Sequence, residues 1–164
     1  MNQNIPRPLI LVADDEEDIR RALGLLLKGA GFSIVEAATP AEAIDKAESN
    51  QVCAALVDMN FQLDTTSGRE GVDLVSRLAN SYPDLPIVAM TAWANVEVAV
   101  DAMKAGAVDF IEKPWNNARV LAVIDGKIKL RQSMMENEKL AQAQRLRLSE
   151  SSPFVVSRSE AMQS

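Results

Sequence analysis

Short apolar runs alternate with helical segments along most of this 164-residue chain. Each run is short, nearly continuous in apolar residues and closed by a polar residue, which is typical of a buried parallel strand. Helical segments of about 10 to 15 residues separate the runs, so the connections need right-handed crossovers and helices on both faces of the sheet. The pattern predicts a doubly wound α/β domain with five strands, at Leu9–Ala13, Phe32–Ala37, Val52–Val57, Pro86–Met90 and Val108–Ile111.

Several helix boundaries carry their own signals. Thr39, Pro40 and Glu42 combine an N-cap, a proline at the first helical position and a capping-box glutamate, so they predict a helix through about Ser49. Residues 67–70 (Ser-Gly-Arg-Glu) open a third helix in the same way. Asn95 is a candidate cap for the fourth helix.

The first predicted strand runs directly into four acids, Asp14 to Glu17. Two interpretations fit these acids taken alone. They could cap the following helix, because negative charge is favoured at a helix N-terminus. They could also form part of a ligand site, because open α/β sheets bind ligands at the carboxyl ends of their strands.

The ends of the first, third, fourth and fifth strands should meet at one edge of the sheet. That edge would collect Asp14, Asp15, Asp58, Thr91 and Lys113. Three neighbouring carboxylates raise one another's pKa unless a cation neutralises them, and oxygen ligands suit Mg²⁺, with Mn²⁺ as the alternative. A carboxylate beside a metal, a lysine and a hydroxyl is also what an aspartyl-phosphate nucleophile needs. Asp58 stands alone at its strand end and is the predicted nucleophile, whereas Asp14 and Asp15 are suited to holding the ion.

Composition excludes several other functions. The net charge of -6 argues against direct nucleic-acid contact or a basic membrane anchor, because both need clustered lysine and arginine. The chain has no histidine, and Cys53 is its only cysteine, which argues against a zinc cluster and a disulfide. No secretory signal or membrane span is apparent, so we expect a cytoplasmic protein.

From about Asn116 the helical pattern continues almost to Pro153. About 34 residues of helix would span roughly 50 Å, more than is needed to cover the sheet. Two interpretations remain open for this segment, a marginal dimeric coiled coil and a solvated linker helix. The predicted heptad a and d positions are Val120, Val123, Lys127, Leu130, Met134, Asn137, Ala141, Gln144 and Leu148.

These patterns predict four segments in the chain. Residues 1–8 form an N-terminal tail, and residues 9–126 form the α/β domain. Residues 127–150 form a helical linker, and residues 151–164 a flexible end.

The set of residues at the strand ends resembles the receiver domain of two-component response regulators. The resemblance covers roughly residues 8–131 and rests on the Asp14-Asp15 pair, Asp58, Thr91-Ala92, residues 104–107 (Lys-Ala-Gly-Ala) and Lys113-Pro114. It implies a flavodoxin-like sheet with strand order 2-1-3-4-5 and a cis Lys113-Pro114 bond, and the extended C-terminal helix predicted above would follow that sheet.

The resemblance also implies a role for each site residue. Asp58 would accept a phosphoryl group from a cognate histidine kinase and would help Asp15, Asp14 and the backbone carbonyl of Asn60 to bind Mg²⁺. Thr91 and Lys113 would hold the phosphoryl group. Phe110 would turn inward with Thr91 and remodel the surface formed by the fourth helix, fifth strand and fifth helix.

Two features depart from the family pattern. The loop after Asp58 lacks the usual Met-Pro and is several residues longer. Trp93 lies two residues past Thr91, where its indole could shield an aspartyl phosphate from water.

The long last helix and the end after Pro153 resemble the linker of NtrC-type enhancer-binding regulators, which continue into an ATPase and a DNA-binding domain. The chain contains no GxxxxGK[ST] phosphate loop and so is not itself the ATPase. We therefore expect a regulatory fragment of a transcription regulator that catalyses its own phosphorylation and dephosphorylation but is not a turnover enzyme.

Two alternatives keep the same fold. One is a dimerisation or interaction domain that phosphate does not control, against which the intact acidic site argues. The other is a flavin-binding module, but the acids after the first strand would repel the phosphate of a flavin cofactor.

Overall fold

The computed structural model describes residues 7–61, 69–92 and 96–151. Strands and helices alternate strictly through these residues. The strands are β1 (Leu9–Ala13), β2 (Ser33–Ala37), β3 (Ala54–Asp58), β4 (Ile87–Ala92) and β5 (Asp109–Lys113). The helices are α1 (Glu17–Gly29), α2 (Pro40–Ser49), α3 (Arg69–Ser81), α4 (Val96–Ala105) and α5 (Asn117–Ser151).

The five strands form one parallel sheet in the order β2-β1-β3-β4-β5. This confirms the predicted fold class, including the strand order and the long C-terminal helix. From β1 the chain first adds β2 on one side and then adds β3, β4 and β5 on the other. The topological switch point therefore lies between β1 and β3, and the carboxyl ends of these strands flank the crevice where such folds bind ligands.

Three strand boundaries differ from the prediction in the same direction. Asp58, Thr91 and Lys113 were expected just after their strands, but they belong to them. The reason is register, since Asp58 pairs with Met90 and Thr91 pairs with Glu112. A polar side chain does not end a parallel ladder, because the backbone makes the ladder hydrogen bonds.

Each face of the sheet is covered by helices. Leu11 and Ala13 face a buried cluster that includes residues of α2, α3 and α4, whereas Ile10 and Val12 face a cluster with residues of α1 and α5. This alternation follows from the two-residue period of a strand. With both faces buried, the open edge at the strand ends is where polar side chains can meet solvent.

The predicted cap of α2 is confirmed. Thr39 Oγ1 accepts a hydrogen bond from Glu42 N at 3.1 Å, and Ala38 N donates to Glu42 Oε1 at 2.7 Å. The structure also shows which of the acids before α1 makes a capping hydrogen bond. Glu16 occupies the N-cap position, but its side chain makes no capping hydrogen bond. Asp14 Oδ1 instead accepts from Glu16 N at 2.9 Å.

The chain divides into two compact units, Met1–Ile128 and Lys129–Ser164, and α5 has residues in both. In the second unit, the described helix exposes several large apolar side chains, namely Leu130, Met134, Met135, Leu140, Leu146 and Leu148. Among the described helices, none combines the length and apolarity that crossing a membrane requires.

Some predictions fall on residues that the structure does not describe. The opening of the third helix at Ser67-Gly68, the Asn95 cap, the loop at 62–68, Trp93 and the chain after Ser151 all lie outside the described residues. The last helix itself ends at Ser151, one residue beyond the predicted end of the helical linker.

Candidate metal and phosphoacceptor site

A single lysine joins the ends of three strands. Lys113 Nζ donates to Asp58 Oδ1 at 2.9 Å and to Asp14 Oδ2 at 3.0 Å. Both carboxylates are almost fully buried, with exposed fractions of 2% and 1%, whereas the lysine side chain is 22% exposed. The last residue of β5 thus brings one positive charge between two buried negative charges from β1 and β3.

Backbone N–H groups also form hydrogen bonds with both carboxylates. Asp58 Oδ1 also accepts from Asn60 N at 3.2 Å, across the turn that follows β3. Asp14 has both oxygens engaged, Oδ1 by Glu16 N and Oδ2 by Lys113. Its amide donates to Ala37 O at 3.0 Å, which ties the end of β1 to β2. Asp14 is therefore fixed in place by four hydrogen-bonding groups, counting the Arg20 contact described below.

Burial raises the pKa of the Asp58 carboxyl to about 6, because the charged form is poorly solvated at the strand end. The Lys113 ammonium opposes this rise, and the Asp14 carboxylate adds to it. Burial alone would lower the pKa of Lys113, but Asp58 and then Asp14 outweigh burial and leave that pKa above its ordinary value. Lys113 therefore stays charged at neutral pH, and Asp58 is an acid whose ionisation is sensitive to any further cation.

Asp14, Asp15 and Asp58 each have a carboxylate oxygen that lies within 4.8 Å of the corresponding oxygens of the other two. Asp15 is half-exposed, and its carboxylate takes part in none of the hydrogen bonds or ion pairs among the described residues. Asn60 Oδ1 is buried and has no hydrogen-bond partner within the described part of the chain. Such an all-oxygen cluster with uncompensated negative charge has the chemistry of a hard divalent cation site.

The cluster opens into a surface cleft of about 550 Å³. Its polar part is formed by Asp58, Asn60, Lys113 and Glu16. The remaining wall is formed by Ile19, Ala92, Pro114 and Trp115. The Lys113-Pro114 bond on this wall is cis, as the family resemblance implied. A small anionic donor can therefore approach the buried Asp58 carboxylate from solvent on the side where the lysine lies.

Thr91 and Phe110 lie together, but not in the hydrogen-bonded cluster. Thr91 is 1% exposed, and no hydrogen bond joins it to Asp58 or Lys113 within the described residues. Both residues line a separate cavity of about 250 Å³, whose other walls come mainly from α4. Phe110 is half-buried and packs against the core cluster on this face.

The predicted site residues therefore fall into two groups. The structure brings Asp14, Asp15, Asp58, Asn60 and Lys113 into one cluster at the predicted edge. It puts Thr91 and Phe110 on the neighbouring cavity.

Sequence reasoning missed two residues that shape the cluster. In α3, a Cβ added at Gly71 would lie 2.4 Å from Met59 Cα and 2.8 Å from Asp58 O, so only glycine lets the helix approach the end of β3 so closely. A glycine inside a predicted helix was an available signal. Arg20 Nη1 donates to the carbonyl of Asp14 at 2.8 Å, and nothing in the sequence distinguished this arginine from Arg21.

The fold and this acidic, lysine-bridged edge define a receiver-type signalling domain, and sequence comparison agrees. The chain belongs to the response regulator receiver domain family, whose model matches residues 10–125.

Three relatives illustrate the relationship. An NtrX-like response regulator of Rickettsia bellii is 33% identical over 115 residues, which is 70% of this chain and 23% of that protein. The transcriptional regulatory protein FixJ of Bradyrhizobium diazoefficiens is 31% identical over 144 residues, covering 88% of this chain and 68% of FixJ. The crystal structure of the receiver domain of NtrX from Brucella abortus matches with a TM-score of 0.68 and 30% identity, covering 73% of this chain and 98% of that domain.

The chain spans about a quarter of the length of the NtrX-like relatives, which carry further residues beyond the matched region. The receiver assignment therefore applies to the matched domain.

Proposed function

We propose that this chain is a phosphorylation-controlled switch in which Asp58 accepts a phosphoryl group from a histidine kinase. The observation that carries the proposal is the Lys113 ammonium bridging Asp58 and Asp14 at the mouth of the cleft. An ion pair that only stabilised the fold would need a single carboxylate as the partner of Lys113. Two buried carboxylates and a third beside them leave negative charge that suits a divalent cation and a phosphoryl group.

Mg²⁺ is the cation that fits these ligands best, with Mn²⁺ as the alternative, and Asp14, Asp15, Asp58 and the Asn60 carbonyl would hold it. When bound, it would offset negative charge on the carboxylates and on the phosphoryl oxygens. Asn60 Oδ1, which has no hydrogen-bond partner within the described ranges, is a further buried oxygen at the site.

In the proposed transfer, an Asp58 oxygen forms a bond to phosphorus while the bond from phosphorus to the donor's leaving group breaks. The leaving group keeps the electron pair and takes up a proton. Lys113 Nζ already lies 2.9 Å from Asp58 Oδ1, so its charge can stabilise the incoming phosphoryl oxygens. Thr91, on the adjacent strand end, would donate its hydroxyl to the same group. Water attack on phosphorus would reverse the modification, so the domain would catalyse both its own phosphorylation and its own dephosphorylation.

The proposed output is a change in the surface formed by α4, β5 and α5. A movement of Thr91 toward a phosphoryl group would free space in the cavity that it shares with Phe110, so the ring could turn inward. Val96, Val100 and Met103 of α4 are 69%, 45% and 42% exposed beside this cavity, and a partner surface could cover them. The shift would favour one of two pre-existing conformations, as ligand-driven switches do.

The proposed context is a two-component transcription regulator. We infer that the last helix pairs with a second copy of the chain, and that ATPase and DNA-binding domains follow it in the full-length protein. The low coverage of the NtrX-like relatives supports the presence of such further domains. With a net charge of -6, the chain itself is not expected to contact nucleic acid.

The direct test is to weigh the intact chain after incubation with Mg²⁺ and acetyl phosphate, a small phosphodonor. We expect a mass gain of one phosphoryl group that requires Mg²⁺ and is absent in Asp58→Asn. Asp101→Asn, which removes an exposed aspartate from α4, is the matched control and should gain mass normally. If the native chain gains no mass, the domain is the phosphate-independent interaction module instead.

Pairing of the last helix is tested separately by sedimentation equilibrium with and without phosphodonor. Met134 occupies a predicted core position and is 62% exposed, whereas its neighbour Met135 lies outside the heptad core and is 44% exposed. Met134→Glu should therefore abolish the dimer and Met135→Glu should leave it intact. A native chain that stays monomeric under both conditions would refute the pairing.

A further inference from the structure

Arg20 of α1 forms hydrogen bonds with the end of β1 and with β2, next to the acidic cluster. Its Nη1 donates to the carbonyl oxygen of Asp14 at 2.8 Å, and its Nε donates to Glu36 Oε1 on β2 at 3.0 Å. The arginine side chain is only 16% exposed, although Glu36 is 45% exposed. The planar guanidinium is thus fixed at two points, one on the neighbouring strand and one at the end of β1.

The carbonyl that Arg20 holds belongs to the peptide between Asp14 and Asp15. A peptide unit is planar, so the direction of its carbonyl also sets the position of the Asp15 amide and Cα. The rest of Asp14 is already held, because Lys113 and Glu16 N engage its carboxylate. The Asp15 carboxylate has no such partner among the described residues, so the position of the Asp15 backbone sets where that carboxylate can reach.

We propose that Arg20 is a positioning residue for the metal site, acting through the Asp14 carbonyl to aim the Asp15 carboxylate. This inference rests on the proposed function, since it takes the cluster to bind Mg²⁺. Residues that orient metal ligands commonly change metal affinity by 10- to 100-fold when they are replaced.

The charge of Arg20 and its positioning role predict opposite effects of its removal on Mg²⁺ affinity, so an experiment can distinguish them. If only its charge mattered, removing Arg20 would tighten Mg²⁺ binding, because a guanidinium repels a cation. If position matters, removal should weaken binding. Lysine keeps the charge but cannot reproduce the two-point contact of the planar fork, so Arg20→Lys should also weaken binding.

The experiment measures the Mg²⁺ dissociation constant by isothermal titration calorimetry on the full chain. Arg20→Lys and Arg20→Met should both weaken binding by about tenfold. Arg21→Met is the matched control, because Arg21 is the next residue on the same helix, is 66% exposed and pairs only with Glu17 among the described residues. It should bind Mg²⁺ like the native chain.

A second pair of variants leaves Arg20 intact. Glu36→Ala removes the outer anchor of the guanidinium and should weaken Mg²⁺ binding more than Glu17→Ala, which removes a comparable charge from α1. Urea unfolding in EDTA provides the independent readout, because a merely structural role would lower stability without changing the affinity of the folded protein.

The outcomes separate the two proposals. A native chain that binds no Mg²⁺ would overturn the proposed function and this inference with it. Native Mg²⁺ binding that is unchanged in both Arg20 variants, or tighter in Arg20→Met, would overturn only the positioning role. Weaker binding in both variants, with the Arg21 control unchanged, would establish it.

Discussion

Replacing Asp58 with asparagine should stabilise the fold at pH 8 when divalent cations are absent. The Asp58 pKa is raised from 3.8 to about 6, chiefly by burial. A carboxyl with a raised pKa in the fold binds its proton more tightly there than in the unfolded chain. Its contribution to stability is therefore fully present below pH 3.8 and is lost as pH rises through about 6. Asparagine resembles the neutral acid and carries no such loss.

The expected size follows from this pKa difference. A change from 3.8 to about 6 corresponds to about 3 kcal/mol, since each pKa unit is worth about 1.4 kcal/mol. The contribution of the Lys113 ion pair is already contained in this figure, because the lysine lowers the pKa that burial raises. The free energy of unfolding of Asp58→Asn should thus exceed that of the native chain by about 3 kcal/mol at pH 8, and by almost nothing below pH 4.

The assay is urea unfolding in EDTA, followed by circular dichroism, at a series of pH values from 4 to 8. Asp45→Asn is the matched control, because it removes an exposed carboxylate from α2, and it should leave stability nearly unchanged at every pH. Mg²⁺ should narrow this difference at pH 8, since it would stabilise the chain that keeps the Asp58 carboxylate more than the variant. A variant no more stable than the native chain at pH 8, or an advantage that persists at pH 4, would refute the reasoning.

Three further substitutions test the supports of the site and the fold. Lys113→Met should lower the free energy of unfolding by about 3 kcal/mol at pH 8, because it leaves buried carboxylates without their cation. Urea unfolding at pH 8 and at pH 4 should show a smaller loss of stability at pH 4. Gly71→Ala should cost about 2 to 3 kcal/mol in the same assay, because the added Cβ would lie 2.4 Å from Met59 Cα. Its control, Gly126→Ala in α5, has open space around the added atom and should gain about 1 kcal/mol. Thr39→Ala should lower the thermal midpoint through a loss of about 1 kcal/mol, since it removes the N-cap of α2, and an unchanged midpoint would contradict that role.

The architecture was predictable because it depends on local patterns. Short apolar runs, helical periodicity and the Thr39 capping box each act within a few residues, and their alternation leaves only a parallel sheet. The strand ends were less predictable. Asp58 and Lys113 appeared to terminate their strands because they are charged, yet the ladder continues through them. Register between strands far apart in sequence decides where a ladder ends.

The different roles of the neighbouring acids also could not be predicted without the tertiary structure. In the sequence, all four acids from Asp14 to Glu17 were candidate caps of α1, but it is Asp14 that accepts the Glu16 amide hydrogen bond. Asp14 is thereby held by Lys113 and the backbone, whereas the Asp15 carboxylate has no hydrogen bond or ion pair among the described residues. Two adjacent aspartates look equivalent in a sequence. They differ here because successive side chains at a strand end point in different directions.

The sequence by itself determined the order of strands and helices, the acidic edge and the residue types that meet there. Only the tertiary structure decided which atoms touch. The Lys113 ammonium reaches an aspartate 99 residues away in the chain and another 55 residues away. Gly71 and Arg20 shape the same cluster from helices on opposite faces of the sheet. Such contacts depend on packing distances between separate elements, and no local pattern of residues encodes those distances.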